Sequence, residues 1–330
     1  MKSHEYPLTW RELWNGFAPT LGLVLAALGT LLAANHWQFL PEPAISSYPD
    51  LTMLAHQARA SRQHDDAQIV LLGDSTCLMG IDAVRLSAWL PGQPSVLNLS
   101  LISGLSLNTY GKALAEFAAT NPGKPATAIL LLSPGKLNSP SSAENESAVW
   151  ENLAHPGSSQ QHVSTDNDSL VTPIRSLLRE NLLSHLLDTP LNGNGAEYFG
   201  FASRIDQYLA DHRGSLVDFG NYTPPKRRQR TTYQLAPAFA PECRAFRAQV
   251  PAGTRLIIGL TPGARSTGSR DDWARRNEVL NAWNSAIHAD RVLTNLPTTL
   301  PDSYFSATGH LNETGQREFT RLVAEELQRP

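Results

Sequence analysis

The sequence predicts an α/β protein with a parallel sheet covered by helices on both faces, preceded by a single transmembrane helix. Continuous apolar runs of strand length alternate with helical patterns, which is typical of parallel sheets buried on both faces. The chain has 330 residues, of which 41% are hydrophobic and 17% are charged. This composition excludes a disordered chain or a fibre, and the length favours one catalytic domain with appendages.

The N-terminal apolar segment is the first predicted element. Residues 17–34 carry no charged side chain, and a helix of that length rises about 27 Å, close to the hydrocarbon thickness of a bilayer. Trp14 and Trp37 flank the segment, as interfacial tryptophans flank membrane helices. We therefore expect a transmembrane helix here.

Basic residues indicate the orientation of this segment. Lys2 and Arg11 precede it, and the next Lys or Arg is Arg59, which favours an N-terminus inside the cell and the main domain outside. No convincing small-x-small cleavage site follows. The expected form is an uncleaved signal anchor over residues 17–36, behind a cytoplasmic tail of residues 1–16. A cleaved signal peptide and a buried helix are the alternatives.

The rest of the chain is predicted to form a tether and one domain. The expected tether covers residues 37–66. Its prolines begin at Pro41 and predict an extended chain that is followed by a short helix, 51–62. The α/β domain then covers residues 67–330 and is interrupted by an insertion at about residues 139–250. Within the insertion, residues 171–188 have the leucine spacing of a helix.

Apolar runs and helical periodicities define the elements of the domain. The predicted strands are Gln68–Leu72, Val96–Leu101, Ala128–Leu132, Arg255–Leu260 and a short run at Arg291–Leu293. The predicted helices are residues 106–120, 273–287 and 312–328. Asn312 is placed to cap the last helix at its N-terminus.

Charge, cysteines and motif content exclude several classes of function. The 27 Lys and Arg residues nearly balance the 30 Asp and Glu residues, so no global basic surface indicates a nucleic-acid partner. Cys77 and Cys243 exclude a disulfide framework and a zinc ribbon, although a disulfide between them is allowed in an exported protein. The sequence contains no metal-binding spacing and no glycine-rich nucleotide loop, so neither a metal nor a cofactor is expected.

A serine follows the first predicted strand. Residues 69–75 run through the apolar strand into the turn Gly73-Asp74-Ser75. The carboxyl ends of parallel strands are where α/β proteins place ligands, so Ser75 is a candidate nucleophile whose own backbone N–H can face an oxyanion. A turn or capping serine is the alternative. Cys77, close by, is expected to be a small buried residue rather than a reactive thiol.

A histidine near the C-terminus supplies the base that such a serine needs. His310 lies in the stretch His-Leu-Asn-x-x-Gly just before the last predicted helix, and imidazole is the usual general base at neutral pH. Together, the early Gly-Asp-Ser and the late histidine block resemble the SGNH (GDSL) hydrolase superfamily. The resemblance covers roughly residues 67–135 and 254–328 and implies a three-layer, flavodoxin-like parallel sheet.

The resemblance also implies roles for individual residues. Ser75 matches the nucleophile and one oxyanion-hole donor, and His310 matches the general base. Gly104 matches the glycine that contributes a second backbone N–H to the oxyanion hole. Asn138 is the only candidate for the third, asparagine donor, and its spacing differs from the usual one.

The usual triad acid is missing. The family carries Asp three residues before the histidine, and that position is Ala307. Three interpretations stay open: a Ser–His dyad, another acid that reaches His310, with Asp302 the nearest in sequence, or an impaired or inactive enzyme. Loss of the acid from an otherwise intact triad costs about 10⁴ in rate. The tract from His212 to Asn221 is typical of a structured loop, and the sequence assigns it no role.

The combination of an anchor, an exported domain and the stretch Gly73–Asp82 resembles the membrane-attached proteins of cell-surface O-acylation. These include the alginate and bacterial-cellulose O-acetylation proteins and the D-alanyl transfer protein of teichoic acid synthesis. The resemblance implies O-acetyl or other acyl transfer to or from a polysaccharide through an acyl-serine, beside a multi-span membrane O-acyltransferase. It also implies a single-pass protein of the bacterial inner membrane whose domain faces the periplasm.

Two other functions remain open from the sequence. One is a simple carbohydrate or lipid esterase, which would use the same residues with water as the acceptor. The other is a catalytically impaired scaffold or glycan-binding partner of a membrane acyltransferase, which Ala307 favours.

Overall fold

A computed structural model describes most of the α/β domain and the N-terminal helix. The described residues are 10–36, 49–102, 105–138, 150, 205–218, 222, 231–268, 272–307 and 309–329. The chain divides into two compact units, one of residues 1–46 with 166–195 and the other of residues 47–165 with 196–330. The predicted helix 171–188 lies outside the described residues.

Helix α1, Trp10–His36, is the described part of the first unit. It contains the residues predicted to form the membrane anchor, 17–36, and large apolar side chains such as Phe17 and Leu23 are exposed on it. In the part of the chain that the structure describes, no helix combines the length and the hydropathy that a membrane crossing needs.

The second unit is built on a parallel sheet. Its five described strands are β1 (Ile69–Gly73), β2 (Val96–Asn98), β3 (Thr127–Leu132), β4 (Arg255–Leu260) and β6 (Arg291–Val292). They lie in the order β2-β1-β3-β4-β6, and every neighbouring pair is parallel. A separate parallel pair joins β5 (Gly263–Ala264) to β7 (Thr299–Leu300). The predicted parallel sheet is therefore confirmed.

Both faces of this sheet are buried, which explains why its strands are continuously apolar. Along β1, Val70 and Leu72 join the core on one face, whereas Leu71 joins the core on the other. The same alternation continues in β3, where Leu130 and Leu131 belong to opposite cores.

Helices cover the two faces. On one face lie α2 (Pro49–Ala60), α5 (Leu107–Thr120), α7 (Phe239–Gln249) and α8 (Asp272–Ile287). On the other lie α4 (Ala83–Trp89) and α9 (Glu313–Gln328). Two short helices follow strand ends, α3 (Ser75–Leu78) after β1 and α6 (Pro134–Asn138) after β3.

Helix α7 lies within the range predicted for the insertion and packs in the core of the domain. Residues 239–249 were expected within the insertion at 139–250, but Phe239, Cys243 and Phe246 of α7 are fully buried in the same core as α5. The helix belongs to the crossover between β3 and β4. Its polar residues obscure this role in the sequence, because only three positions on one side of it are buried.

Residues 213–218, here called the strap, lie along the edge strand β2. The backbone N–H of Asn98 donates to Arg213 O at 2.9 Å, and Arg213 Nε donates to Val96 O at 3.1 Å. Gly214 has φ +81°, and a Cβ there would lie 2.0 Å from Asn98 O. Only glycine therefore allows the strap to approach the strand so closely.

The strand order indicates where a ligand would bind. The chain moves from β1 to β2 on one side and then returns to β3 on the other side of β1. Ligands of doubly wound sheets bind at the carboxyl ends of the strands where the order reverses. In this chain that position lies just beyond Gly73 of β1 and Leu132 of β3.

Candidate active site

Ser75 is the first residue of α3, immediately after the end of β1. Asp74 caps this helix through its side chain, which accepts a hydrogen bond from Thr76 N at 3.0 Å. Gly73 permits the turn, because a Cβ at this position would lie 2.0 Å from Leu131 O and 2.7 Å from the Cβ of Cys77. The Ser75 amide is among the first N–H groups of the helix, which have no intrahelical acceptor.

The carboxylate of Asp74 connects the carboxyl ends of β1 and β3, next to Ser75. It is completely buried. One oxygen accepts from the N–H and hydroxyl of Thr76, and the other accepts from Ser133 N at 3.0 Å and Ser133 Oγ at 2.6 Å. The Thr76 hydroxyl also lies 2.8 Å from that of Thr261, which follows β4. These hydrogen bonds fix the turn that carries Ser75. The role of Asp74 is therefore structural.

His310 faces Ser75 from the loop before α9. Its Nε2 lies 3.0 Å from Ser75 Oγ. The loop is held by its own backbone, since Ser306 N donates to His310 O at 3.0 Å. Asn312 caps α9 as predicted, with its side chain accepting from Gly315 N at 3.0 Å. The structure thus brings together the two residues that the sequence paired across 235 positions.

Asp218, at the end of the strap, contacts the other nitrogen of His310. Asp218 Oδ2 lies 3.0 Å from His310 Nδ1, and the two side chains are 25% and 29% exposed. In the tautomer with its proton on Nδ1, His310 donates to Asp218 and leaves Nε2 free to accept the Ser75 hydroxyl proton. Asp218, His310 and Ser75 therefore form a hydrogen-bonded chain with triad geometry.

The acid is not the residue that the sequence suggested. Asp302 Oδ1 accepts a hydrogen bond from Ser266 N at 2.8 Å, whereas His310 Nδ1 contacts Asp218. The expectation that Asp302 could reach His310 is therefore not met. Ala307 stands three residues before His310, where the resemblance implies an acid, and the strap supplies an acid from a different part of the chain.

The structure describes two of the three residues expected to form the oxyanion hole. Gly104 lies outside the described residues. The side chain of Asn138 donates through Nδ2 to Thr232 O at 2.8 Å, so this donor already holds a backbone carbonyl. Of the three donors predicted for the oxyanion hole, the backbone N–H of Ser75 is therefore the one that the described part of the chain leaves available.

The two cysteines are free and buried. Burial raises the pKa of the Cys77 thiol from its ordinary value near 9.0 to about 12, so the thiol stays protonated at neutral pH and is a poor nucleophile. Cys77 and Cys243 belong to cores on opposite faces of the sheet. Among the described residues, no group of three His, Cys, Asp or Glu side chains could hold a metal ion.

Sequence reasoning missed Asp218 because the acid lies 92 residues before the histidine. The signal that could have found it is local. In the tract from His212 to Asn221, Asp218 follows Gly214, Leu216 and Val217. The side chains of Leu216 and Val217 are buried. A short apolar run with a glycine in a polar insertion indicates a segment docked on the core.

Comparison with known proteins adds no relative. No protein-family model matches the chain, and no curated protein is similar to it in sequence.

Proposed function

We propose that this protein is a serine enzyme of the SGNH type that transfers or hydrolyses ester-linked acyl groups. The observation that carries the proposal is the continuous chain from Asp218 through His310 to Ser75, with 3.0 Å at each contact. Its location at the switch point of a parallel sheet, where ligands bind, supports the same conclusion.

The geometry supports a two-step reaction. His310 Nε2 takes the hydroxyl proton of Ser75 as the oxygen attacks the acyl carbonyl. The tetrahedral intermediate collapses to an acyl-serine, and the imidazolium returns the proton to the departing alcohol. A second hydroxyl, from a sugar or from water, then gives its proton to His310 and attacks the acyl carbon. The ester bond to Ser75 breaks, and His310 returns the proton to Ser75 Oγ. Asp218 stabilises the imidazolium in both steps.

We infer that the acyl carrier or acceptor is a cell-surface polysaccharide and that the acyl group is acetyl or a similar small group. This part rests on the resemblance to membrane-attached O-acylation proteins. Attachment to the bacterial inner membrane is proposed from the same resemblance and from the charge-free run 17–34, since no described helix meets the length and hydropathy of a membrane crossing. The domain would face the periplasm beside a multi-span O-acyltransferase. A simple esterase would use the same residues with water as the acceptor.

The scaffold alternative loses the observation on which it depended. Ala307 favoured a non-catalytic protein because it left His310 without its usual partner. Asp218 occupies that role in the geometry, so the missing acid no longer argues against catalysis.

The proposal is tested with the full chain purified in detergent and p-nitrophenyl acetate as the donor. We expect release of nitrophenol, and acetylation of Ser75 detectable by peptide mass spectrometry. Both signals should disappear in Ser75→Ala and His310→Ala. Ser285→Ala is the matched control, because the Ser285 hydroxyl contacts only Asn281 O on α8 among its described polar contacts.

Two further measurements separate the finer parts of the proposal. Addition of unacetylated oligosaccharides should divert the acetyl group from water to sugar if the protein is a transferase, and should leave the rate of acetate formation unchanged if it is an esterase. Extraction of cell membranes at alkaline pH should leave the protein in the pellet if α1 anchors it. Equal nitrophenol release from wild type and Ser75→Ala would refute the acyl-serine mechanism.

A further inference from the structure

Two buried glutamines hold the strap that carries Asp218. Each uses its side-chain Nε2 to donate to one backbone carbonyl of the strap and to one carbonyl elsewhere in the α/β unit. Gln316 is 2% exposed and Gln57 is completely buried. Neither residue touches His310 or Ser75 in the hydrogen-bond network described above.

Gln316 connects the segments that carry the nucleophile, the base and the acid. Its Nε2 donates to Leu216 O at 2.7 Å, two residues before Asp218. The same nitrogen donates at 3.2 Å to the carbonyl of Met79, the C-terminal cap of the short helix that begins at Ser75. Gln316 lies in α9, close after the loop that carries His310.

The backbone of Leu216 is held on both sides. Its N–H donates to Leu78 O at 3.1 Å, at the end of α3, and its carbonyl accepts from Gln316. The strap is therefore seated on the nucleophile's own helix. A buried carbonyl that loses its donor destabilises the conformation that leaves it unpaired, so removal of the Gln316 amide favours movement of the strap away from this seat.

Gln57 acts on the strap from the opposite end. Its Nε2 donates to Gly214 O at 3.1 Å and to Ser100 O at 3.0 Å. Gly214 is four residues before Asp218, and Ser100 follows the edge strand β2. Gln57 thus ties the start of the strap to β2, whereas Gln316 ties its middle to α3.

We propose that Gln316 and Gln57 are positioning residues that set the Asp218 carboxylate against His310 Nδ1. Asp218 is a quarter exposed and lies in a segment without regular secondary structure, so its position depends on how the strap is held. Catalytic groups must be held within about 0.5 Å of their working position. The catalytic consequence rests on the proposed function, whereas the structural consequence does not.

The experiment uses the full chain in detergent and the far-downfield proton signal expected for His310 Nδ1–H bound to Asp218. The signal is assigned by its loss in Asp218→Ala. We expect it to be lost or broadened in Gln316→Leu, with kcat for p-nitrophenyl acetate at least tenfold lower and KM within twofold of wild type.

Gln328→Leu is the matched control. Gln328 also lies on α9, and its Nε2 also donates to a carbonyl on another helix, Trp89 O at 3.1 Å. Because this contact is remote from the strap, Gln328→Leu should keep both the proton signal and kcat. If Gln316→Leu does not fold, Gln57→Met tests the same inference from the other end of the strap.

The outcomes distinguish the two proposals. A signal lost in Gln316→Leu but kept in Gln328→Leu supports the positioning role, even if wild type has no esterase activity and the proposed function fails. A signal and a kcat that are unchanged in Gln316→Leu overturn the positioning role. Absence of the signal from wild type also overturns it, because Asp218 is then not seated against His310.

Discussion

Replacement of Asp218 is the sharpest test of the geometry. In the proposed reaction, this residue stabilises the imidazolium that forms when His310 takes the serine proton. Two opposite unit charges about 4 Å apart interact by about 4 kcal/mol at an effective dielectric constant of 20 and by about 1 kcal/mol in water. Asp218 and His310 are 25% and 29% exposed, so we expect a value between these limits, about 2–3 kcal/mol.

The charge interaction alone converts to a loss of about 30- to 150-fold in kcat/KM for Asp218→Ala, at 1.36 kcal/mol for each factor of ten. Loss of the acid also releases control of the His310 tautomer, so we expect a total loss between this value and the factor of about 10⁴ that removal of a triad acid costs. We expect Asp218→Asn to lose at least as much. An amide that donates to Nδ1 moves the histidine proton to Nε2, where it prevents acceptance of the Ser75 proton. The assay is initial-rate hydrolysis of p-nitrophenyl acetate, with folding checked by circular dichroism.

The matched control is Asp302→Asn, which keeps the acceptor for Ser266 N and removes the acid that the sequence had suggested. Its activity should stay within about twofold of wild type. The reasoning is refuted if Asp218→Ala retains wild-type activity while Ser75→Ala has none, because the acid would then contribute nothing to a working serine.

Three further changes test other parts of the structure. Ala307→Asp, which introduces the acid that the resemblance implies at this position, should not raise esterase activity, because the single Nδ1 proton of His310 is already donated to Asp218. A clear gain in kcat/KM would contradict this. Gly73→Ala should lower the free energy of unfolding by about 3 kcal/mol or more, measured by urea denaturation, because the new Cβ would lie 2.0 Å from Leu131 O. The raised pKa of Cys77, about 12 in the fold against an ordinary value of 9.0, means that the unfolded thiol loses its proton first as pH rises. Between these two pH values, ionisation of Cys77 should therefore lower the free energy of unfolding by about 1.4 kcal/mol per pH unit. In Cys77→Ala the free energy of unfolding should decline less steeply with pH than in wild type. Equal slopes would contradict the raised pKa of Cys77.

The central sheet could be predicted because its signal is local. A strand buried on both faces needs apolar side chains at every position, and Arg255–Leu260 has the same bounds in the sequence prediction and in the structure. Asn312 was also predictable, since a capping side chain bonds to the backbone three residues later. Helix α7 was missed because its buried positions are few and are separated by charged residues.

The candidate site was predictable to the extent that its residues lie in short motifs. Ser75 and His310 stand beside strand and helix ends that the sequence marks clearly. Asp218 reaches His310 through tertiary contacts, namely the close approach of Gly214 to Asn98 and the seating of Leu216 on α3. Such contacts join distant parts of the chain and leave no periodic pattern in one sequence.

The strap also has a consequence for the behaviour of the protein in concentrated solution. An uncovered edge strand offers unpaired backbone groups to a second chain and promotes aggregation. Arg213 pairs with these backbone groups at β2: its carbonyl accepts from Asn98 N, and its side chain donates to Val96 O. Its guanidinium also pairs with Asp65 at 2.8 Å. The segment that brings the acid to the histidine therefore also closes one edge of the sheet. Variants that release it should self-associate as well as lose activity, so colloidal stability and catalysis are linked through the same six residues.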